Sequence, residues 1–479
     1  MSRRCVRRCG MTELGDYRAG RRILDVARDD PSRTALVIDD EAWTYGELVG
    51  ASLSLALQFP PSGNNEPQPI TAVMAQRHVS SYVGILAARF AGHAYVPLNV
   101  NHPCQRNATI LKNSGAARVI CGANARSSFR EISAAAGIDD LPVIGCGERK
   151  ADFDTDAADS APVREQSFED LAYILFTSGS TGNPKGVPIQ NAQLEAYLKA
   201  AGEMVDVQPQ DRFSQTFELT FDLSVHDLFL CWENGATLVV ASEKELRMPS
   251  SYINEHGITC WFSVPSLAYQ VRLQEDLVPG AFPTLRSSLF CGEALPTIVA
   301  TEWVRAAPNS IVENWYGPTE ATIACSRYIL GEESIADDTV PIGKAFDAME
   351  LLVLDTDLTP LPTGEAGELF LAGAQVATGY LNDPEKTAAS FVTLPDGKPA
   401  YRTGDRAAFG EDGNVRFLGR VDNQVKVRGF RIELGEIEAA LRSASSGLNA
   451  VALAWPGGAE IALQTWNPRL GIIGGLSIL

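Results

Sequence analysis

The sequence predicts an α/β protein, a large core followed by a smaller β-rich region. Three observations predict it. Between residues 70 and 99 the chain reads ITAVMA, SYVGILAARFAG and AYVPLN, a buried strand, a helix and a second short strand in βα rhythm. Apolar runs of strand length recur at ATLVVA, TCWFSV, SSLFC and MELLVLD, with helical stretches between several of them, the alternation an α/β core produces. From residue 366 the pattern turns β-rich and glycine-punctuated, as in GELFLAG, NVRFLGR and NQVKVRG.

Size and composition agree with this class. At about 150 residues per domain, a chain of 479 residues holds roughly three domain-sized units. Forty basic against fifty-nine acidic residues leave a net charge of −19, which argues against a general nucleic-acid binder and against a polybasic membrane-surface protein. An apolar fraction of 45% with 21% charged residues excludes global disorder. The nine cysteines lie far apart, with no CxxC pair and no Cys/His cluster, so neither a disulfide framework nor a zinc site is predicted. Scattered reduced thiols favour the cytoplasm. No stretch reaches the ~18 consecutive apolar residues of a membrane helix.

In chain order, residues 1–19 form a basic extension followed by no apolar run of signal-peptide length. Thr44-Tyr45-Gly46-Glu47 predicts a capped helix start, with Thr44 accepting from the Glu47 N–H and Glu47 reaching back. FPPSGNNEPQP at 59–69 is breaker-rich and reads as a surface loop, and the acidic, small-residue stretch at 148–167 as a loose linker.

The strongest local signal is LAYILFTSGSTGNPKG at 171–186. An apolar run delivers Thr177, Ser178, Gly179, Ser180, Thr181, Gly182 and Lys185 into one loop. Glycines let the backbone approach an anion, the hydroxyls donate to phosphate oxygens, and Lys185 adds charge. The spacing is not GxxxxGK[ST], so a P-loop is excluded; a plain surface turn is the alternative. NWYGPTE at 314–320 offers the Tyr316 ring to a base, the Thr319 hydroxyl to a phosphate and the Glu320 carboxylate to magnesium, although alone it is equally a Gly-Pro turn. In YRTGD at 401–405, Asp405 can accept from a ribose diol, and Gly-Asp is also ordinary turn chemistry. GRVDNQVKVRGFRIELGEIE at 419–438 reads as a charged hairpin leading into an amphipathic helix over 434–441.

Together and in this order these motifs resemble the ANL superfamily of adenylate-forming enzymes, and within it an amino-acid adenylation domain of the nonribosomal peptide synthetase type. The resemblance also takes in AGHAYVP at 91–97, FDLS at 221–224 and GELFLAGAQVATGY at 367–380. FCGEALP at 290–296 and FDLSVHDLF resemble the D-alanine:carrier-protein ligases of the same superfamily, while VRGFRIELGEIE matches the peptide-synthetase type better.

The resemblance implies a large multi-sheet N-terminal domain over 20–419, a hinge at Asp422 and a small α+β C-terminal domain over 420–479. It implies that ATP and Mg2+ are used to join a small amino acid to AMP, releasing pyrophosphate. The acyl group then passes to the phosphopantetheine thiol of a carrier protein supplied in trans, with no nucleic acid and no membrane involved. Carried over residue by residue, Thr177, Ser178, Gly179, Ser180, Thr181, Gly182 and Lys185 hold the pyrophosphate end, and Thr319 meets the α-phosphate. Glu320 holds magnesium; Thr177, Lys185, Thr319 and Glu320 are the catalytic set. Gly292, Glu293, Ala294, Asn314, Trp315, Tyr316, Gly317 and Pro318 frame the nucleotide, and Asp405 and Arg420 grip the ribose. Asp222 meets the substrate ammonium, or caps the helix expected over 223–232, or does both. Leu223, His226, Ser263, Leu289, Cys291, Trp315, Ile323 and Ala324 line the side-chain pocket, where the bulk of His226 and Trp315 implies a small side chain.

The sequence departs from the family at its end. The family's C-terminal lysine has no counterpart, since no lysine follows Lys426. The small domain is therefore expected to be incomplete and adenylation slow, because a cation at the reacting phosphate is missing. The competing expectation is a catalytically weak nucleotide-binding remnant.

Overall fold

Strands whose residues are buried on both faces pair in parallel and set the architecture. The computed structural model describes residues 20–60, 67–153, 163–178, 183–331, 335–422, 424–427, 430–434, 437, 449–454, 461–467 and 471–478. One sheet has six strands in the order Val143–Cys146, Arg118–Gly122, Ile70–Ala75, Ala94–Asn99, Leu171–Thr177 and Lys185–Gln190. Its pairs are parallel except the last, an antiparallel pair of Leu171–Thr177 and Lys185–Gln190. The second sheet has nine strands, with Ile311–Tyr316, Ser287–Phe290, Cys260–Ser263, Arg212–Gln215, Thr237–Val240 and Thr34–Ile38 adjacent in that order at its centre. These too are parallel.

The helix Val79–Phe90 is buried along its whole length, as befits a helix lying between layers. Its neighbour Tyr45–Ala56 starts with the capping box that the sequence predicts: the Glu47 N–H donates to Thr44 Oγ1 at 3.2 Å and the Thr44 N–H to Glu47 Oε2 at 2.8 Å. One apolar cluster runs through both sheets and these helices. A five-stranded antiparallel sheet follows, built from Met349–Leu354, Gly367–Gly373, Phe391–Thr393, Pro399–Phe409 and Val415–Arg420. Beyond it come the hairpin Gln424–Val427 and Phe430–Glu433, and a three-stranded antiparallel sheet of Asn449–Ala454, Ile461–Asn467 and Gly471–Ile478.

Two expectations need correction. The helix over 223–232 is not a regular α-helix: Leu223–Val225 and Cys231–Glu233 are α-helical turns flanking π-helical winding at His226–Leu230. Asp222 stands at its N-cap position but in αR conformation and makes no capping bond, so the capping role falls away. Residues 1–19, Gly179, Ser180, Thr181, Gly182 and most of the helix expected over 434–441 lie outside the described residues. Among the described residues no helix is long and apolar enough to cross a membrane.

Candidate active site

In open α/β sheets, ligands bind beyond the carboxyl ends of the strands. The candidate site is built there. Leu171–Thr177 runs into Ser178, Ser287–Phe290 into Cys291 and Gly292, and Ile311–Tyr316 into Gly317, Pro318 and Thr319. These residues line one cleft with a wide part of about 760 Å3 and a narrow arm of about 130 Å3. The two parts share Gly292, Asp405, Arg420 and Gln424 in their walls. Gly317 is required by close packing, since a Cβ there would stand 2.5 Å from the Ala324 Cα.

Thr177 and Ser178 line the narrow arm, and the Thr177 hydroxyl is buried with no hydrogen-bond partner among the described residues. A buried hydroxyl in that condition fits a ligand oxygen. Lys185 Nζ lies 3.3 Å from Glu320 Oε1 and donates to the Tyr380 hydroxyl at 3.1 Å, while sitting 4.7 Å above the Tyr380 ring centroid. The Tyr380 hydroxyl in turn donates to Glu320 Oε1 at 2.8 Å. Glu320 is fully buried, and a hard carboxylate oxygen is suited to magnesium.

The wide part is framed by Gly292, Glu293, Ala294, Asn314, Trp315 and Tyr316. Glu293 accepts from the Ser266 N–H at 2.8 Å, which fixes the turn. Asn314 donates its amide to the Pro341 carbonyl at 2.9 Å and has a buried Oδ1 without a partner among the described residues, an acceptor that suits an exocyclic amine of a base. Asp405 accepts from the Tyr316 hydroxyl and, at 2.8 Å, from Arg420. Burial, reinforced by the Asp405 carboxylate, pushes the Tyr316 hydroxyl well above its ordinary value, so it stays a donor. Arg420 also donates twice to Asp422, at 2.7 and 2.6 Å, and so ties the ribose candidate to the expected hinge. Gly404 has φ +73° and a Cβ there would meet Arg420 Nη2 at 2.8 Å, which accounts for glycine in YRTGD.

Asp222, Leu223 and Cys291 line the narrow arm. The Asp222 charge is felt at the buried Tyr173 and Tyr197 hydroxyls, which burial already raises. The other expected pocket residues lie deeper. Trp315 borders the wide part, whereas His226, Ser263, Leu289, Ile323 and Ala324 are at most 2% exposed and line neither part. Burial depresses His226 to about 3, which keeps the ring neutral. Thr322 and Ile323 have positive φ of 55° and 74°, uncommon for β-branched residues. Gln375 holds this bend, donating to the Ala324 carbonyl at 2.7 Å and the Thr322 carbonyl at 3.3 Å.

Sequence reasoning missed Tyr380, Tyr197, Glu313, Gln375 and Thr403, whose Oγ1 accepts from the Asp405 N–H at 2.9 Å. A usable signal existed for two of them. Glu313 and Thr403 stand two residues before Trp315 and Asp405 on a strand, hence on the same face.

The family model for AMP-binding enzyme matches residues 24–381, and a second model, CbiD, matches residues 432–479. Surfactin synthase subunit 2 of Bacillus subtilis (strain 168) is 36% identical over 427 residues, covering 87% of this chain but only 11% of that much longer protein. D-alanine--D-alanyl carrier protein ligase of Bacillus cereus (strain G9842) is 34% identical over 426 residues, 88% of this chain and 82% of the ligase. The Vibrio cholerae adenylation domain AlmE, solved with glycyl-adenosine-5'-phosphate, superposes with a TM-score of 0.81 at 28% identity, covering 98% of this chain and 90% of AlmE. With the family model spanning most of the chain, the protein belongs to the AMP-binding enzyme family.

Proposed function

We propose that this chain activates a small amino acid. The amino-acid carboxylate attacks the α-phosphorus of ATP, the bond to the β-phosphate oxygen breaks, and aminoacyl-AMP and pyrophosphate result. A carrier-protein thiol then displaces AMP to give a thioester. The observation that carries this reading is Asp222, a carboxylate 8% exposed that lines the narrow arm of the nucleotide-sized cleft. A substrate ammonium makes a charge-assisted pair with that carboxylate, which an acid without an ammonium does not.

In this reading Thr177, Ser178, Gly179, Ser180, Thr181, Gly182 and Lys185 bind the pyrophosphate end and Thr319 the α-phosphate. Gly292, Glu293, Ala294, Asn314 and Tyr316 orient the base, and Asp405, held by Tyr316 and Arg420, takes the ribose hydroxyls. Magnesium at Glu320 would neutralise charge on the phosphates. The domain division at 419/420, with Asp422 as hinge, and a cytoplasmic location belong to the same proposal. The location is supported by buried thiols at Cys121, Cys146, Cys231, Cys260, Cys291 and Cys325. A second reading, D-alanine:carrier-protein ligation, is favoured by the 34% identity that extends over 82% of such a ligase.

The test is amino-acid-dependent exchange of pyrophosphate into ATP, run with the twenty amino acids and D-alanine. Exchange with one small amino acid that disappears in Asp222→Asn supports the reading. Nucleotide binding with no exchange for any amino acid refutes it.

A further inference from the structure

The narrow arm has a wall that neither the nucleotide nor the amino acid uses in the reading above. His102, Arg106, Ile110 and Thr220 form it. His102 stands in the turn between the strand Ala94–Asn99 and the helix Cys104–Ser114. Its ring is met from the other sheet, where Glu218 follows the strand Arg212–Gln215 and brings Oε2 to 3.2 Å from His102 Nε2. Asn99 Nδ2 donates to the same oxygen at 2.8 Å, and the Asn101 N–H donates to Asn99 Oδ1 at 2.9 Å. The pair is therefore held by both sheets.

Burial raises the Glu218 carboxyl, but hydrogen bonds from His102 and Asn99 and the charge of Arg77 outweigh it and leave the group below its ordinary value. A carboxylate can only accept, so the neutral imidazole presents Nε2–H to Glu218 and keeps its lone pair on Nδ1. That nitrogen is buried and has no hydrogen-bond partner among the described residues. A carboxylate–imidazole pair with an open second nitrogen is the arrangement that serves as general base in acyl transfer. Thioester formation calls for one, because the thiolate and not the thiol is the nucleophile. Among the described residues lining the arm, chemistry excludes the other candidates. Arg106 and Arg420 keep their protons. Asp405 accepts from Tyr316 and Arg420, and Asp222 is taken up by the substrate ammonium. A thiol such as Cys291 is no stronger a base than the thiol it would deprotonate.

We propose that His102 Nδ1 takes the proton of the incoming carrier thiol, and that Glu218 is the positioning residue that fixes its tautomer. The S–H bond breaks toward Nδ1 and the sulfur bonds to the acyl carbon. The bond from that carbon to the phosphate oxygen breaks, so AMP leaves with the electron pair and the thioester remains. The inference rests on the amino-acid-activating reading above and adds the proton acceptor of its second step.

Chemically prepared glycyl-AMP and alanyl-AMP, given to the full chain with pantetheine as the thiol, separate this step from adenylate formation. Thioester is measured by mass spectrometry above the rate without protein, and amino-acid-dependent pyrophosphate exchange is measured on the same preparations. General-base catalysis is worth about 100-fold or more, so His102→Gln should slow thioester formation by about that factor and exchange far less. Imidazole added to His102→Gly should restore part of the thioester rate. Glu218→Gln should lower kcat of the thioester step about tenfold or more with KM for pantetheine held, the signature of a lost tautomer and not of lost binding. A thioester rate retained in His102→Gln, no response of His102→Gly to imidazole, or no thioester from the wild type while exchange proceeds would overturn the base and leave amino-acid activation standing. Equal losses of exchange and thioester in His102→Gln would make the residue merely structural and overturn it as well. Absence of exchange with every amino acid in the wild type would overturn the underlying reading, and the inference with it.

Discussion

Replacing Glu320 by Gln should weaken the free protein and enlarge its response to ATP. Lys185 Nζ is 3.3 Å from the Glu320 carboxylate, with side chains 11% and 0% exposed. At an effective dielectric near 20 the gross attraction at that spacing is about 5 kcal/mol. Removing one partner of a buried pair costs about 3–5 kcal/mol. Lys185 has a long stem and keeps the Tyr380 hydroxyl and ring as partners, so the lower end, about 3 kcal/mol, is expected. The isosteric amide still accepts from Tyr380, which limits the change to the charge. Phosphates arriving with ATP would give the ammonium a new partner, so a non-hydrolysable ATP analogue should restore much of the loss. The assay is urea unfolding in magnesium-free buffer, with and without the analogue. An unchanged midpoint in the free protein, or an equal deficit in both conditions, would refute the pairing of Lys185 with Glu320.

Further outcomes follow from the same geometry. Gln375→Ala removes the amide that holds the positive-φ bend at Thr322 and Ile323, and each buried carbonyl left unsatisfied costs about 1–3 kcal/mol. Urea unfolding should show that loss, and KM for the amino acid should rise more than KM for ATP. Burial raises the Asp211 carboxyl, but hydrogen bonds from Arg286, Gln208 and Thr259 outweigh it and leave the group below its ordinary value. Its stabilisation is present above the unfolded value of about 3.9 and lost as pH falls through the folded one. Arg286→Ala should therefore move acid unfolding, followed by circular dichroism, to higher pH. His226 is depressed to about 3 by burial, so the unfolded chain binds one more proton between that value and about 6.5. Stability is lost as pH is lowered through that window, and His226→Asn should flatten the slope by at most about 1.4 kcal/mol per pH unit.

What was legible in the sequence is what depends on residues close together in the chain. The strand that begins at Leu171, the capping box at Thr44 and the βα rhythm at 70–99 all follow from local pattern, and all are present. The contacts that hold the site are of another kind. Tyr380 reaches Glu320 across sixty residues and Tyr197 reaches His226 across twenty-nine, and neither tyrosine stands out by composition or spacing. The π-helical winding at His226–Leu230 was illegible for a different reason. The segment LSVHDLFLCW is buried on every side, so its apolar pattern carries no phase from which a changed helical repeat can be read. The capping role at Asp222 failed because local sequence supplies a capping residue type but not the extended backbone that a cap requires.

The most direct test of the central claim is trapping of the activated acid. The purified chain would be incubated with ATP, magnesium, hydroxylamine and one candidate acid at a time, and the hydroxamate measured by mass spectrometry. Glycine or alanine should yield hydroxamate, and Asp222→Asn should abolish it. Hydroxamate formed equally well from acids that lack an α-ammonium, or unaffected by the Asp222 substitution, would contradict amino-acid activation at this site.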